Sequence, residues 1–173
     1  MRTIMTVIVA GLAIAGCSNS PKQTDHASAD PWSTVGVGTV FETTTVTRLE
    51  RPFVHQSETT TRQTLIAKSD AEVSIKLEVT SAGRVSAQDI KVLLRHDEAE
   101  ACTATTVTTT ADETCTVPAG TFECTRTTRE VREGNVTRST MTWTAKNVPV
   151  PIKSVVTNEN MTTTTELTRL ARR

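Results

Sequence analysis

The chain has 173 residues, of which 22% are charged and 3% aromatic, with 19 Lys and Arg against 19 Asp and Glu. Balanced charge leaves no basic face broad enough for nucleic acid, which is excluded as a partner. Two tryptophans, three phenylalanines and no tyrosine also exclude a large aromatic platform for stacking a ligand.

The chain opens on Met1 and Arg2, a short positive start, and residues 4–16, IMTVIVAGLAIAG, are almost wholly apolar. Such a stretch of roughly 13 residues is shorter than the ~20 that span a bilayer as a helix. A basic start, an apolar run and small residues at its end describe a secretory signal over residues 1–16. The run closes on Ile14-Ala15-Gly16-Cys17 and turns polar at once. These four residues resemble the lipobox of bacterial lipoproteins. The resemblance implies that the Cys17 sulfur receives a diacylglyceryl group, that the signal is cut before Cys17, and that the new amine takes a further chain such as palmitate. The alternative is an ordinary signal cut near Gly16. Two or three acyl chains make a firm anchor, since each buried CH₂ contributes ~0.8 kcal/mol and one chain alone is marginal.

Residues 17–33 follow as the lipidated cysteine and a tether, SNSPKQTDHASADPWS after Cys17. Rich in Ser, Asp, Asn and Pro, this segment cannot bury enough surface to offset the entropy of ordering it. Ser18, rather than an aspartate, follows Cys17, which in enteric bacteria directs a lipoprotein to the outer membrane. The expected location is the bacterial cell envelope, facing the periplasm or the exterior. Without residues 1–16 the chain has 18 Lys and Arg (19 less Arg2) against 19 acids and stays near neutral.

Residues 34–173 are expected to form one all-β domain. Threonine makes up about a fifth of the chain and valine is its commonest aliphatic; both are β-branched and suit a pleated surface. Threonine tracts also occur in glycosylated stalks, but those are proline-rich, and here the tracts alternate with Val, Ile, Leu, Glu and Arg. Thr-rich strands are expected at 36–49 and 54–67. In DAEVSIKLEVT (70–80), Val73, Ile75, Leu77 and Val79 share one face, and in DIKVLLR (89–95) Ile90, Val92 and Leu94 do the same. Shorter pieces at 101–109 and 113–117 are separated by a turn at Ala111-Asp112. Strands at 121–131, 136–146 and 161–170 complete the set, divided by Pro118-Ala119-Gly120 and Glu133-Gly134-Asn135. No segment shows a helical apolar period. The expected fold is an antiparallel meander forming a long, twisted, curved sheet, a half-barrel with little or no helix.

In CTVPAGTFECT (115–125), a two-residue loop at Ala119-Gly120 sets Val117 opposite Phe122 and Cys115 opposite Cys124. Trp143 and NVPVPIKSV (147–155) follow. With VGVGTVFETTT near the start of the domain, these stretches resemble a broad, poorly characterised group of bacterial lipoproteins. Those proteins are similar in shape to the Lol-type carriers and other half-barrel lipoproteins. The resemblance implies a curved antiparallel sheet with an apolar concave side.

With Cys17 lipidated, Cys102, Cys115 and Cys124 are candidates for one disulfide and one remaining thiol, as suits an exported protein. Both Cys102–Cys124 and Cys115–Cys124 are open, with Cys124 a member of either pair. Histidines are few: His26 in the tether, His55 at a strand start, and His96 beside Asp97, Glu98 and Glu100 in what reads as a solvated turn. No metal site, cofactor or nucleophile–base set is expected, and so no enzyme. Two readings remain. The first is binding of a lipid or other apolar ligand on the face of Val73, Ile75, Leu77, Val79, Ile90, Val92 and Leu94. The second is a structural role, docking an envelope protein partner through a sheet face or edge.

Overall fold

The structure is a computed structural model that describes residues 31–51, 53–94, 105–133 and 136–172. The signal, Cys17, His26, His96 with its acids, Cys102 and the Gly134-Asn135 turn lie outside the described residues. A short 3-10 turn, Pro31–Thr34, precedes nine strands: β1 Val40–Leu49, β2 His55–Lys68, β3 Glu72–Ser81, β4 Arg84–Leu93, β5 Thr105–Val117, β6 Gly120–Glu133, β7 Val136–Ala145, β8 Val148–Asn158 and β9 Met161–Ala171.

All nine form one antiparallel sheet in the order β4-β3-β2-β1-β9-β8-β7-β6-β5. Two meanders, β1–β4 and β5–β9, are joined where β9 returns to pair with β1. Consecutive strands β4 and β5 therefore sit at the two edges of the described sheet. The β3–β4 hairpin turns on Ala82 and Gly83, both at positive φ (49° and 74°). Two central residues of that hand match the natural twist of the flanking strands.

The core occupies one end of the sheet. Phe41, Leu65, Val73, Ile75, Ile152 and Leu167 are among the buried residues of a single apolar cluster. Each lies in the half of its strand nearer the base turns, where β2 meets β3, β5 meets β6 and β7 meets β8. Trp32 packs at this end, its ring edge-on to Phe41 at 6.2 Å and 85°. The other end is threonine. Along one row, Thr59, Thr45, Thr165, Ser154, Thr142, Thr127 and Thr110 stand side by side on seven adjacent strands. Within it the hydroxyls of Thr45 and Thr165 bond at 2.9 Å, and those of Thr47 and Thr163 bond at 3.2 Å in the next row.

Three register shifts interrupt the ladders around that core, and two of them let residues of unlike parity share it. One at Thr168 puts both Leu167 and Leu170 on the side of Phe41. A second, at Ile66 on β2, sets Lys68 rather than Ala67 opposite Val73, while Leu65 stays opposite Ile75. The third is larger: Trp143 stands opposite Lys153, but Ala145 stands opposite Val148. The extra residues fall on Pro149-Val150-Pro151, as expected where proline cannot serve a regular ladder. Below this shift the face of β7 bearing Trp143 and Ala145 aligns with the face of β8 bearing Val148, Val150 and Ile152. That brings Cys115, Val117 and Cys124 of the β5–β6 hairpin into the same cluster.

Two expectations are corrected. Among the described residues, the two short pieces expected around Ala111-Asp112 are one continuous strand, β5, from Thr105 to Val117, and Ala111-Asp112 lies inside it. Pairing overrides the local turn signal, since the Asp112 carboxylate accepts from the Thr125 hydroxyl across the strands at 2.8 Å. The β5–β6 turn uses Pro118-Ala119, with Val117 opposite Gly120. Proline's fixed φ suits the first central position of a turn, and Gly120, at φ 139°, takes a conformation that side chains avoid.

Candidate functional site

The apolar residues of β3 and β4 pair as their alternation predicts: Val73 lies opposite Val92 and Ile75 opposite Ile90. They do not line an open trough. Val73, Ile75 and Leu77 retain 0%, 3% and 5% of their exposure, and Ile90, Val92 and Leu94 pack half-buried against the core. Val79, higher on β3, is half-buried between Thr61 and Ser86. Two shallow hollows among the described residues are lined mostly by threonine, serine and charged residues. One of about 300 Å³ lies on the opposite face, against Glu42, Thr60, Arg62, Glu78, Thr80 and Val85. Another of about 420 Å³ lies against Thr137, Ser139, Thr157, Asn158 and Glu159.

The first hollow is floored by a charge ladder. Arg62 Nε lies 3.7 Å from Glu42 and 3.9 Å from Glu78, and Arg169 reaches Glu42 from the other side at 3.5 Å. These pairs are open to water, where each contributes about 1 kcal/mol or less. Their work is to keep this face of β1, β2, β3 and β9 soluble and in register.

The cysteines are arranged differently from the expected opposition. Cys115 stands opposite Phe122 and Cys124 opposite Glu113, because the turn falls one residue earlier than predicted. The two thiols are diagonal neighbours, buried, hydrogen-bonded to each other and free. Burial raises both thiols, Cys124 to about 11 from an ordinary 9.0, with the adjacent Cys115 adding to the shift. Thiols so protonated are poor nucleophiles at neutral pH. Beside them, the Trp143 indole donates to Glu113 Oε1 at 2.5 Å, and Glu113 also meets Arg126 at 3.3 Å. Lys153 lies 5.8 Å from the Trp143 ring centre and 2.8 Å from Glu166. This cluster pins the base of β5–β9 and holds no nucleophile with a base beside it. Among the described residues no three of His, Cys, Asp and Glu gather closely enough to hold a metal. His55 is exposed at the start of β2.

The exposed apolar residues are elsewhere. Phe53 and Val54, in the β1–β2 connection, are 80% and 74% exposed, with Leu49 at the end of β1 beneath them. Glu50 N–H donates to the Asn160 carbonyl at 2.9 Å, tying this tip to the β8–β9 turn. The tip stands at the end opposite the core. Sequence reasoning passed over it, taking FVHQSET as a strand start. The available signal was an apolar pair directly after Arg51-Pro52, where a turn should be polar. Val85 and Leu93 on β4 and Val107 on β5 are exposed along the two edges of the described sheet.

The described residues form an open, nine-stranded, all-β sheet with a buried apolar core. No known protein family matches the chain, and no curated protein does. Among solved structures it is similar to a protein from Bacteroides fragilis, described as a candidate exported protein with a YmcC-like fold. The identity is 11% and the TM-score 0.51, over 80% of this chain and 97% of that one. At that identity the likeness is one of fold.

Proposed function

We propose that the protein is an exported, non-enzymatic lipoprotein, held at the outer membrane by acyl chains on Cys17, that docks another envelope protein through the β1–β2 tip. The observation that carries this reading is the exposure of Phe53 and Val54 at a hairpin end, where nothing in the fold needs them. Exposed apolar residues grouped this way mark interaction sites. The geometry suits an anchored protein: the tether enters at the base, where Trp32 packs on Phe41. The tip lies a strand's length away, about 30 Å at ~3.3 Å per residue. The export reading draws on the signal at residues 1–16 and on the description of the Bacteroides protein. The alternative, an apolar ligand on the Val73 to Leu94 face, would require the closed core to open.

A photo-reactive amino acid at position 53 tests the proposal in intact cells. The expected result is a protein adduct at position 53 that is missing when the probe sits at position 80. Adducts with lipid only, or an apolar molecule carried by the extracted protein in native mass spectrometry, would return the function to ligand binding.

A further inference from the structure

Cys115 and Cys124 have no part in docking through the tip. Both are free and buried, at 7% and 4% exposure. They stand on adjacent strands two rungs apart, since Cys115 lies opposite Phe122 and Cys124 opposite Glu113. The thiols are hydrogen-bonded to each other. A disulfide would draw the sulfur atoms to ~2.05 Å, which a diagonal placement suits poorly. An ion held between two thiolates keeps them about 4.6 Å apart, twice a metal–sulfur bond of ~2.3 Å. Sulfur atoms in hydrogen-bond contact are much nearer that second spacing.

The surroundings narrow the choice of ion. Glu113, the carboxylate opposite Cys124, is taken up by the Trp143 indole and Arg126. Among the described residues no third His, Cys, Asp or Glu joins the pair. Zinc, which wants four ligands, and hard ions, which want oxygen, are therefore poorly served. Two soft thiolates with nothing else suit Cu(I). Such a complex carries one negative charge. Lys153, paired with Glu166 and 5.8 Å from the Trp143 ring centre, is the cation at hand, and its field already favours the Cys115 thiolate.

We propose that Cys115 and Cys124 form a two-coordinate site for Cu(I). The ion replaces two protons: Cu(I) and two thiols give the dithiolate complex and two H⁺, and copper keeps its oxidation state. Cys115 lies on β5, at the edge of the described sheet, so the ion enters without parting two paired strands.

The test uses the full chain in a Cys102→Ser background, extracted in detergent and kept reduced with ascorbate under argon. Cu(I) is offered from a coloured chelator that competes for it. A single ion per chain should pass to the protein, held more tightly as pH rises, because protons leave as it binds. Cys115→Ala and Cys124→Ala should each lose this uptake and keep the wild-type circular dichroism spectrum. Glu113→Gln should keep the uptake, and Zn(II) should not displace the copper. With Trp32→Phe leaving Trp143 as the reporter, Cu(I) should quench its emission. No uptake, uptake indifferent to either alanine, uptake lost with Glu113→Gln, or displacement by Zn(II) would each overturn the proposal. Where an alanine variant fails to fold, the Trp143 emission decides, and emission left unquenched by bound Cu(I) overturns the site.

Discussion

The backbone N–H of Ala119, in the turn between β5 and β6, donates to the carbonyl of Leu167 on β9 at 3.1 Å. These strands are not neighbours: β8, β7 and β6 lie between β9 and β5 in the sheet. The bond therefore marks where the sheet folds over its own base, and Leu167 beneath it is fully buried.

Leu77→Ala should destabilise the protein by about 2–5 kcal/mol, the usual range for emptying a packed leucine site. Val85→Ala, on the next strand but exposed, should change stability by less than about 0.5 kcal/mol. Urea denaturation of both variants measures the contrast. Leu77→Arg should fail to fold, since a charge at a site with 5% exposure has no route to water. Wild-type protein should not take up an apolar dye; uptake with Leu77→Arg still folded would show the face to be open.

Glu113 carries two partners, the Trp143 indole and Arg126. Glu113→Ala should destabilise the base by about 1–3 kcal/mol, because it strands a part-buried indole N–H. Tryptophan emission, read with Trp32→Phe so that only Trp143 reports, should shift to the red. Glu113→Gln keeps an acceptor for the indole and should keep the emission nearer wild type.

The buried thiols make stability depend on alkaline pH. Burial raises the folded-state Cys124 thiol to about 11, above its ordinary 9.0. The folded state thus holds the proton more tightly than the unfolded chain does. The associated stability is whole below pH 9 and is lost as pH rises from 9 toward 11. Denaturation midpoints across that window should fall for the wild type and fall less for Cys124→Ala. Alkylation in denaturant without reductant should label both Cys115 and Cys124, because their diagonal placement suits a crosslink poorly. Finding the two joined would contradict the arrangement seen here.

Cys17→Ser should move the protein from the membrane fraction to the soluble one, with the signal retained or cut elsewhere. A variant that stays membrane-bound at unchanged mass would remove the lipid anchor from the proposed function.

Much of the fold is legible in the residues themselves. Alternation in Glu72–Ser81 gives β3 and its buried face directly, because a strand's side chains repeat every two positions whatever surrounds it. The threonine content announces a sheet with half-exposed rows, since β-branched side chains favour the pleated surface. Isoleucine, alanine, glycine and cysteine at 14–17 carry the anchor reading without any fold at all. Local chemistry did not reveal the pairing of β9 with β1, which leaves β4 and β5 as edges; that partnership joins residues more than a hundred positions apart. Nor did alternation reveal that Leu167 and Leu170, or Trp143 and Ile152, share a core, because bulges at Thr168 and Pro149–Pro151 change parity between neighbouring strands. The turn at Pro118-Ala119 shifted the cysteines by one place on each strand and turned a facing pair into a diagonal one. Whether an apolar strand face is a ligand trough or a sealed core depends on what folds over it. Here the tertiary structure decided that, by bending the β5–β6 hairpin back onto Leu167.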